Sequence, residues 1–166
     1  RNLLGKLAGV KALTSAIRFL LYSNLFIGAC AVALIFTNQL TAGLPVTFNA
    51  TCAFVFAATV FTYSALKFRG AESSEQLTAH HHWANQNKAL SRFVMWLGAL
   101  SAGGLFFFME RSAQLITIGL GLFTLFYGFV ELPLPAGRRT LREFGLAKTF
   151  FVAFVWSVTT VLIPLA

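Results

Sequence analysis

Of 166 residues, 57% are hydrophobic and 11% charged, against roughly 45–50% and about 25% in an ordinary soluble domain, a composition that excludes a soluble fold. Thirteen basic residues face five acids for a net charge of +8, which on so apolar a chain reads as cytoplasmic loop charge and excludes nucleic acid as a partner. All five acids are glutamates (Glu72, Glu75, Glu110, Glu131, Glu143), so chemistry built on aspartate pairs, including Asp-rich magnesium sites for phosphates, is excluded as well.

In chain order, the stretch Asn2 to Arg18 places Leu3, Leu7, Val10, Leu13 and Ile17 on roughly one helical face, with Lys11 and Arg18 on the other and Lys6 as an exception. Residues 1–18 are therefore expected to form a basic helix in the membrane interface. A charge near the bilayer centre costs about 2.5 to 3.5 kcal/mol, so the uncharged windows that follow mark the spans. The first, from Arg18 to Lys67, is too long for one helix and is interrupted by Thr37 to Asn49, where Gly43 and Pro45 break it. This predicts spans at 19–37 and 48–66. Ser73 and Gln76 have capping-box spacing in the polar loop 67–92, predicting a helix from near Ser74 toward Lys88. Spans at 93–110 and 112–131 follow, then a loop at 132–147 in which Pro133 and Pro135 end a helix and Gly137 turns, and a last span at 148–166. Each is near the roughly 20 residues that a ~30 Å hydrocarbon core requires. The expected fold is an all-α polytopic transmembrane bundle of about five spans, one membrane domain over 1–166. A signal peptide is not the reading, because the first apolar run has full span length.

Basic residues alternate along this layout. Arg1, Lys6, Lys11 and Arg18 precede the first span; Lys67, Arg69, Lys88 and Arg92 follow the second; Arg138, Arg139, Arg142 and Lys148 precede the fifth; the opposite side carries only Arg111. The positive-inside bias then puts the N-terminus in the cytoplasm and the C-terminus outside.

Few residues invite chemistry. His80, His81 and His82 are weak metal candidates, since adjacent helical residues point about 100° apart whereas zinc-binding helices use positions i and i+4. Lys67 and Arg69 are candidates for a phosphate, diphosphate or lipid headgroup, although snorkelling anchors look the same. Glu131 and Arg142 are a candidate surface pair worth roughly 0 to 1 kcal/mol. Cys30 and Cys52 form no CxxC and read as small hydrophobes. Small residues recur at spacing four: Ala29 and Ala33, Ala53 and Ala57, Gly98 and Ala102, Ala99 and Gly103. Such pairs let helix backbones approach in lipid, and Gly98, Ala99, Ala102 and Gly103 are the expected contact for a partner subunit or a tightly held lipid, the alternative being that they meet only the chain's own helices. Phe106 to Phe108, Phe123, Phe126, Phe150 and Phe151 are candidates for lining an isoprenoid groove, or for facing bulk lipid.

The order of these features, from basic interfacial helix through first hairpin, long cytoplasmic loop and second hairpin to LPLPAGRRTLREFGLAKTFFVAFVWSVTTVLIP, resembles the intramembrane aromatic prenyltransferases of the UbiA type. The resemblance covers the N-terminal five of that family's usual nine spans. It implies a first motif of Asn-x3-Asp-x3-Asp that holds magnesium and a prenyl diphosphate; the closest register here is Ser64, Phe68 and Glu72, with Glu75 nearby, and the second Asp-rich motif is absent. Magnesium is thus implied only if the chain is part of an active enzyme, and prenyl transfer by this chain alone is not expected. The leading expectation is a non-catalytic UbiA-like accessory or lipid-binding subunit of a larger membrane complex. Alternatives are part of an active prenyltransferase, and a transporter or channel component, the latter disfavoured because no span contains a buried charge of the kind that marks ion paths. Expected partners are membrane lipids, other membrane subunits and an isoprenoid or quinone, and the expected location is a bacterial inner membrane. Starting at Arg1 and ending in an apolar run, the sequence has the look of a processed or partial chain.

Overall fold

The computed structural model describes residues 2–71, 87–129, 131–134, 137–140 and 145–165. These form helices α1 (Asn2–Tyr22), α2 (Leu25–Thr41), α3 (Ala50–Ala71), α4 (Lys88–Phe106) and α5 (Arg111–Phe129), then strands β1 (Glu131–Leu134) and β2 (Gly137–Thr140). Helix α6 (Gly145–Ser157) continues through a π-turn (Val158–Leu162) into the short α7 (Ile163–Leu165). Two helical segments, Ala50–Lys67 and Lys88–Phe106, are long and apolar enough to cross a membrane; the bent pair Gly9–Tyr22 and Leu25–Thr41 makes a third if counted as one span, and Thr149–Leu165 is a shorter apolar helix. The helix placed near Ser74 lies outside the described residues.

Two boundaries differ from the sequence reading for a physical reason. The first apolar helix does not begin at residue 19: positions 19–22 belong to α1, and the chain turns at Ser23 and Asn24. Asn24 has φ +64, a left-handed conformation that Asn tolerates better than other side-chain-bearing residues, and the two helices meet there at 67°. The segment after α5, read as a plain loop, forms an antiparallel hairpin that pairs Glu131 with Thr140 and Leu134 with Gly137. Gly137 is thus a paired strand residue beside the turn. Pro133, opposite Arg138, is tolerated because a strand with only one neighbour need not donate from every N–H.

The chain divides into two compact units, Arg1–Ala33 with Ala53–Gly104, and Leu34–Cys52 with Leu105–Ala166. In the first, α3 is central and its neighbours approach through glycines. A Cβ on Gly28 of α2 would come within 3.0 Å of the Phe56 and Val60 side chains, and one on Gly98 of α4 within 3.1 Å of the Ala57 carbonyl and 3.2 Å of the Phe61 N. Ala31, Val55, Ala57, Val60, Val94 and Ala102 complete this core. The buried face of α2 is therefore Gly28 and Ala31, while Ala29 and Ala33, the pair that spacing alone suggested, are exposed.

In the second unit the helix ends are closed by side chains and glycine. Gly43, at φ +70, ends α2: its N–H bonds the Leu40 carbonyl at 3.1 Å and the Leu44 N–H reaches the Gln39 carbonyl at 2.8 Å, the two-bond pattern of a Schellman cap. Asn49 caps α3 by accepting from the Cys52 N–H at 3.0 Å. Gln114 Nε2 donates to the carbonyls of Phe106 at 2.9 Å and Met109 at 3.2 Å, closing the α4–α5 turn.

The π-turn lies immediately before the helical residues that carry Pro164. Proline has no N–H, so the carbonyl four residues earlier, on Thr160, loses its α-helical donor. Asn38 Nδ2 donates to that carbonyl at 2.9 Å. The Ile163 N–H instead reaches back five residues to Val158.

Candidate functional site: a polar recess at the helix bend

In an apolar environment every exposed backbone carbonyl must find a donor, and the bend after α1 interrupts the helical pairing of its last carbonyls, of which Phe19 accepts from the Ser23 N–H at 2.9 Å and Leu20 from the Ser23 hydroxyl at 3.4 Å. Lys67, at the end of the span-length part of α3, donates from Nζ to the Tyr22 carbonyl at 2.8 Å. A cation at a helix C-terminus also meets the negative end of the helix dipole. One turn earlier on the same face of α3, Ser64 accepts at Oγ from Asn24 Nδ2 at 3.1 Å, a buried bond. The left-handed backbone at Asn24 and its side-chain amide thus act together to turn the chain and tie the turn to α3.

Tyr22, Ser23, Asn24, Ser64 and Lys67, with Ser91 and Val94 of α4, line a small recess with room for about one water molecule. The Ser91 hydroxyl is buried without a hydrogen-bond partner, and a water in the recess would serve it. Among the described residues, charge around the recess has one sign: Arg18 lies one turn before Tyr22, and Lys88 and Arg92 flank Ser91, all three exposed. The described residues of this unit contain no acid, so the bend favours a polar or anionic neighbour.

Magnesium does not fit this recess. The ion takes anionic or neutral oxygens in an octahedral set, whereas the lining offers hydroxyls, one amide and an ammonium, with no carboxylate. Among the described residues no group of three or more His, Cys, Asp or Glu is placed to hold a metal.

Comparison with protein-family models, curated proteins and solved structures finds no match.

The remaining sequence candidates fall into three groups. Lys67 and Ser64 come together in the recess. Arg69 lies on α3, while Glu72, Glu75, His80, His81, His82 and Arg142 lie outside the described residues. The small-residue set on α4 is divided: Gly98 and Ala102 are buried, Ala99 is half-buried, and Gly103 is exposed with nothing within 4 Å of a Cβ built on it. The aromatic set divides likewise. Phe123 stacks on Phe151 at 5.2 Å and meets Phe154 edge-on at 5.4 Å, and Tyr127 stacks on Phe151 at 3.6 Å, so these rings join α5 to α6. Phe107, Phe108 and Phe150 stand open, each at least 75% exposed.

Asn24, Ser91 and Tyr22 were not singled out by sequence. For Asn24 the signal was present: Ser-Asn inside an otherwise apolar run, with Asn the side-chain-bearing residue suited to a left-handed turn. Nothing in the sequence marks Ser91, whose interest comes from what packs around it.

Proposed function

We propose that this chain is a non-catalytic, UbiA-like integral membrane protein, with five spans and a cytoplasmic N-terminus, that serves as an accessory or isoprenoid- or lipid-binding subunit of a larger membrane complex. The observation that carries the reading is the division of α4. Gly98 is used up by close approach to the chain's own α3, yet Leu100 and Gly103 on the same helix stay open, on a helix apolar enough to cross a membrane. A span with one face satisfied internally and another uncovered suits contact with a second apolar body, and Gly103 permits a helix backbone to approach closely. The chemistry of the recess supports the non-catalytic part, since its ammonium, amide and hydroxyls bind polar or anionic groups without activating a diphosphate leaving group.

Purification in mild detergent tests the proposal. The chain is expected to co-migrate with a larger complex, and Gly103→Leu to release it while leaving the fold intact. A monodisperse monomer, unaffected by that substitution, would overturn the accessory reading. Turnover of labelled prenyl diphosphate that Glu72→Gln abolishes would replace it with the enzyme.

A further inference from the structure

Every residue of α1 from Gly9 to Arg18 is exposed, and the helix carries Val10 at 62% and Leu13 at 63% exposure, followed by exposed Ile17, Leu20 and Leu21. A helical stretch exposed on every side, as residues 9–18 are, has little to hold it in water, because most helical stability comes from burying an apolar face. Its charges have one sign: Lys11 and Arg18 are exposed, and no acid precedes Glu72 in the sequence. Its direction is fixed by the bend, since Lys67 holds the Tyr22 carbonyl and Asn24 is tied to Ser64. With a 67° bend, α1 lies nearer the membrane plane than the normal whenever α2 is tilted by about 20° or less, the average for transmembrane helices.

We propose that α1 is a surface-lying arm that binds anionic lipid headgroups, with Val10, Leu13, Ile17, Leu20 and Leu21 entering the acyl boundary and Lys11 and Arg18 contacting lipid phosphates. Charge complementarity selects this occupant: an exclusively basic, half-apolar helix matches an anionic bilayer surface, which supplies both the apolar boundary and the counter-charge. The polar clasp at Lys67 and Asn24 sets the angle at which the arm meets the surface. The inference rests on the membrane reading and is independent of whether the chain is an accessory subunit.

The test uses the full chain with Cys30→Ala and Cys52→Ala, carrying a spin label at Leu13→Cys, Ser15→Cys or Leu34→Cys, in nanodiscs of phosphatidylcholine with or without phosphatidylglycerol. With phosphatidylglycerol, the label at 13 is expected at shallow lipid depth, accessible to oxygen and protected from a water-soluble nickel relaxant, and the label at 15 the reverse. Lys11→Gln with Arg18→Gln should lower the lipid-buried fraction at 13 relative to the water-exposed fraction by about thirtyfold, the effect of two basic side chains at an anionic surface. Water exposure at both 13 and 15 in anionic discs overturns the arm. So does a label at 13 as deep as that at 34, which would make α1 half of a broken span, or protection that appears only on adding an acidic protein or nucleic acid. Water exposure at 34 instead brings down the membrane reading itself, and the arm with it.

Discussion

The two broken helices of this protein are mended in the same way by different donors. After α1 the break is made by the left-handed Asn24 and the freed carbonyl of Tyr22 receives the Lys67 ammonium; in the last helix the break is made by Pro164 and the freed carbonyl of Thr160 receives the Asn38 amide. In both, the donor comes from a distant part of the sequence, so the defect in one helix becomes a tie to another. The donors differ in charge. A charged donor costs more than a neutral amide wherever lipid surrounds it.

The largest expected effect concerns the packing on which the first joint depends. Gly98→Leu places side-chain atoms against the backbone of α3 at Ala57 and Phe61, which has no rotamer with which to yield, and should cost roughly 3 kcal/mol, read as loss of monodisperse protein or a fall in Tm in detergent. Lys67→Met, which keeps the apolar stem and removes the donor, should cost about 2 kcal/mol through loss of the bond to the Tyr22 carbonyl. The same variant should loosen the bend, seen as a broadened distance distribution between spin labels at 13 and 34.

The second joint permits a sharper test by compensation. Asn38→Leu should cost about 1 kcal/mol, because the Thr160 carbonyl loses its donor. Pro164→Ala supplies an N–H at that position, so in its background Asn38→Leu should cost less than about 0.5 kcal/mol. Strict additivity of the two in a thermal-unfolding cycle would show that Asn38 does not stand in for the missing proline N–H. The smallest effect is expected at Gly103, where Leu meets open space and should change stability by less than about 0.5 kcal/mol. Its contrast with Gly98, five residues away, separates self-packing from partner contact on one helix.

Charge spacing made the apolar helices legible, because the cost of a charge in lipid is large and sequence-local. Gly43 was legible as a helix breaker for a similar reason, since a left-handed position is a property of a single residue, whereas the cap at Asn49 was not, because the span predicted from 48 places it inside the helix. The joints were not. Asn38 read as part of the polar stretch between two spans, and its role depends on Pro164, more than a hundred residues later. Lys67 reads as a candidate headgroup or phosphate cation, and its carbonyl partner is set by a bend that the uncharged window from Arg18 concealed. Small-residue spacing located helix approach on α4 but missed the face of α2, where Gly28 and Ala31 are buried and Ala29 and Ala33 exposed, since a period of four does not say which side of the helix meets its neighbour.

Membrane topology underlies all of this and is most directly measured by impermeant thiol labelling of Leu44→Cys and Lys88→Cys, each in a background of Cys30→Ala and Cys52→Ala, in sealed cells and inverted vesicles. Leu44 is exposed beside the left-handed Gly43, and Lys88 is exposed at the start of α4. The expected result is labelling of position 44 only from outside and of position 88 only from the cytoplasmic side. Labelling of 44 from the cytoplasm, or of both positions from the same side, would contradict it.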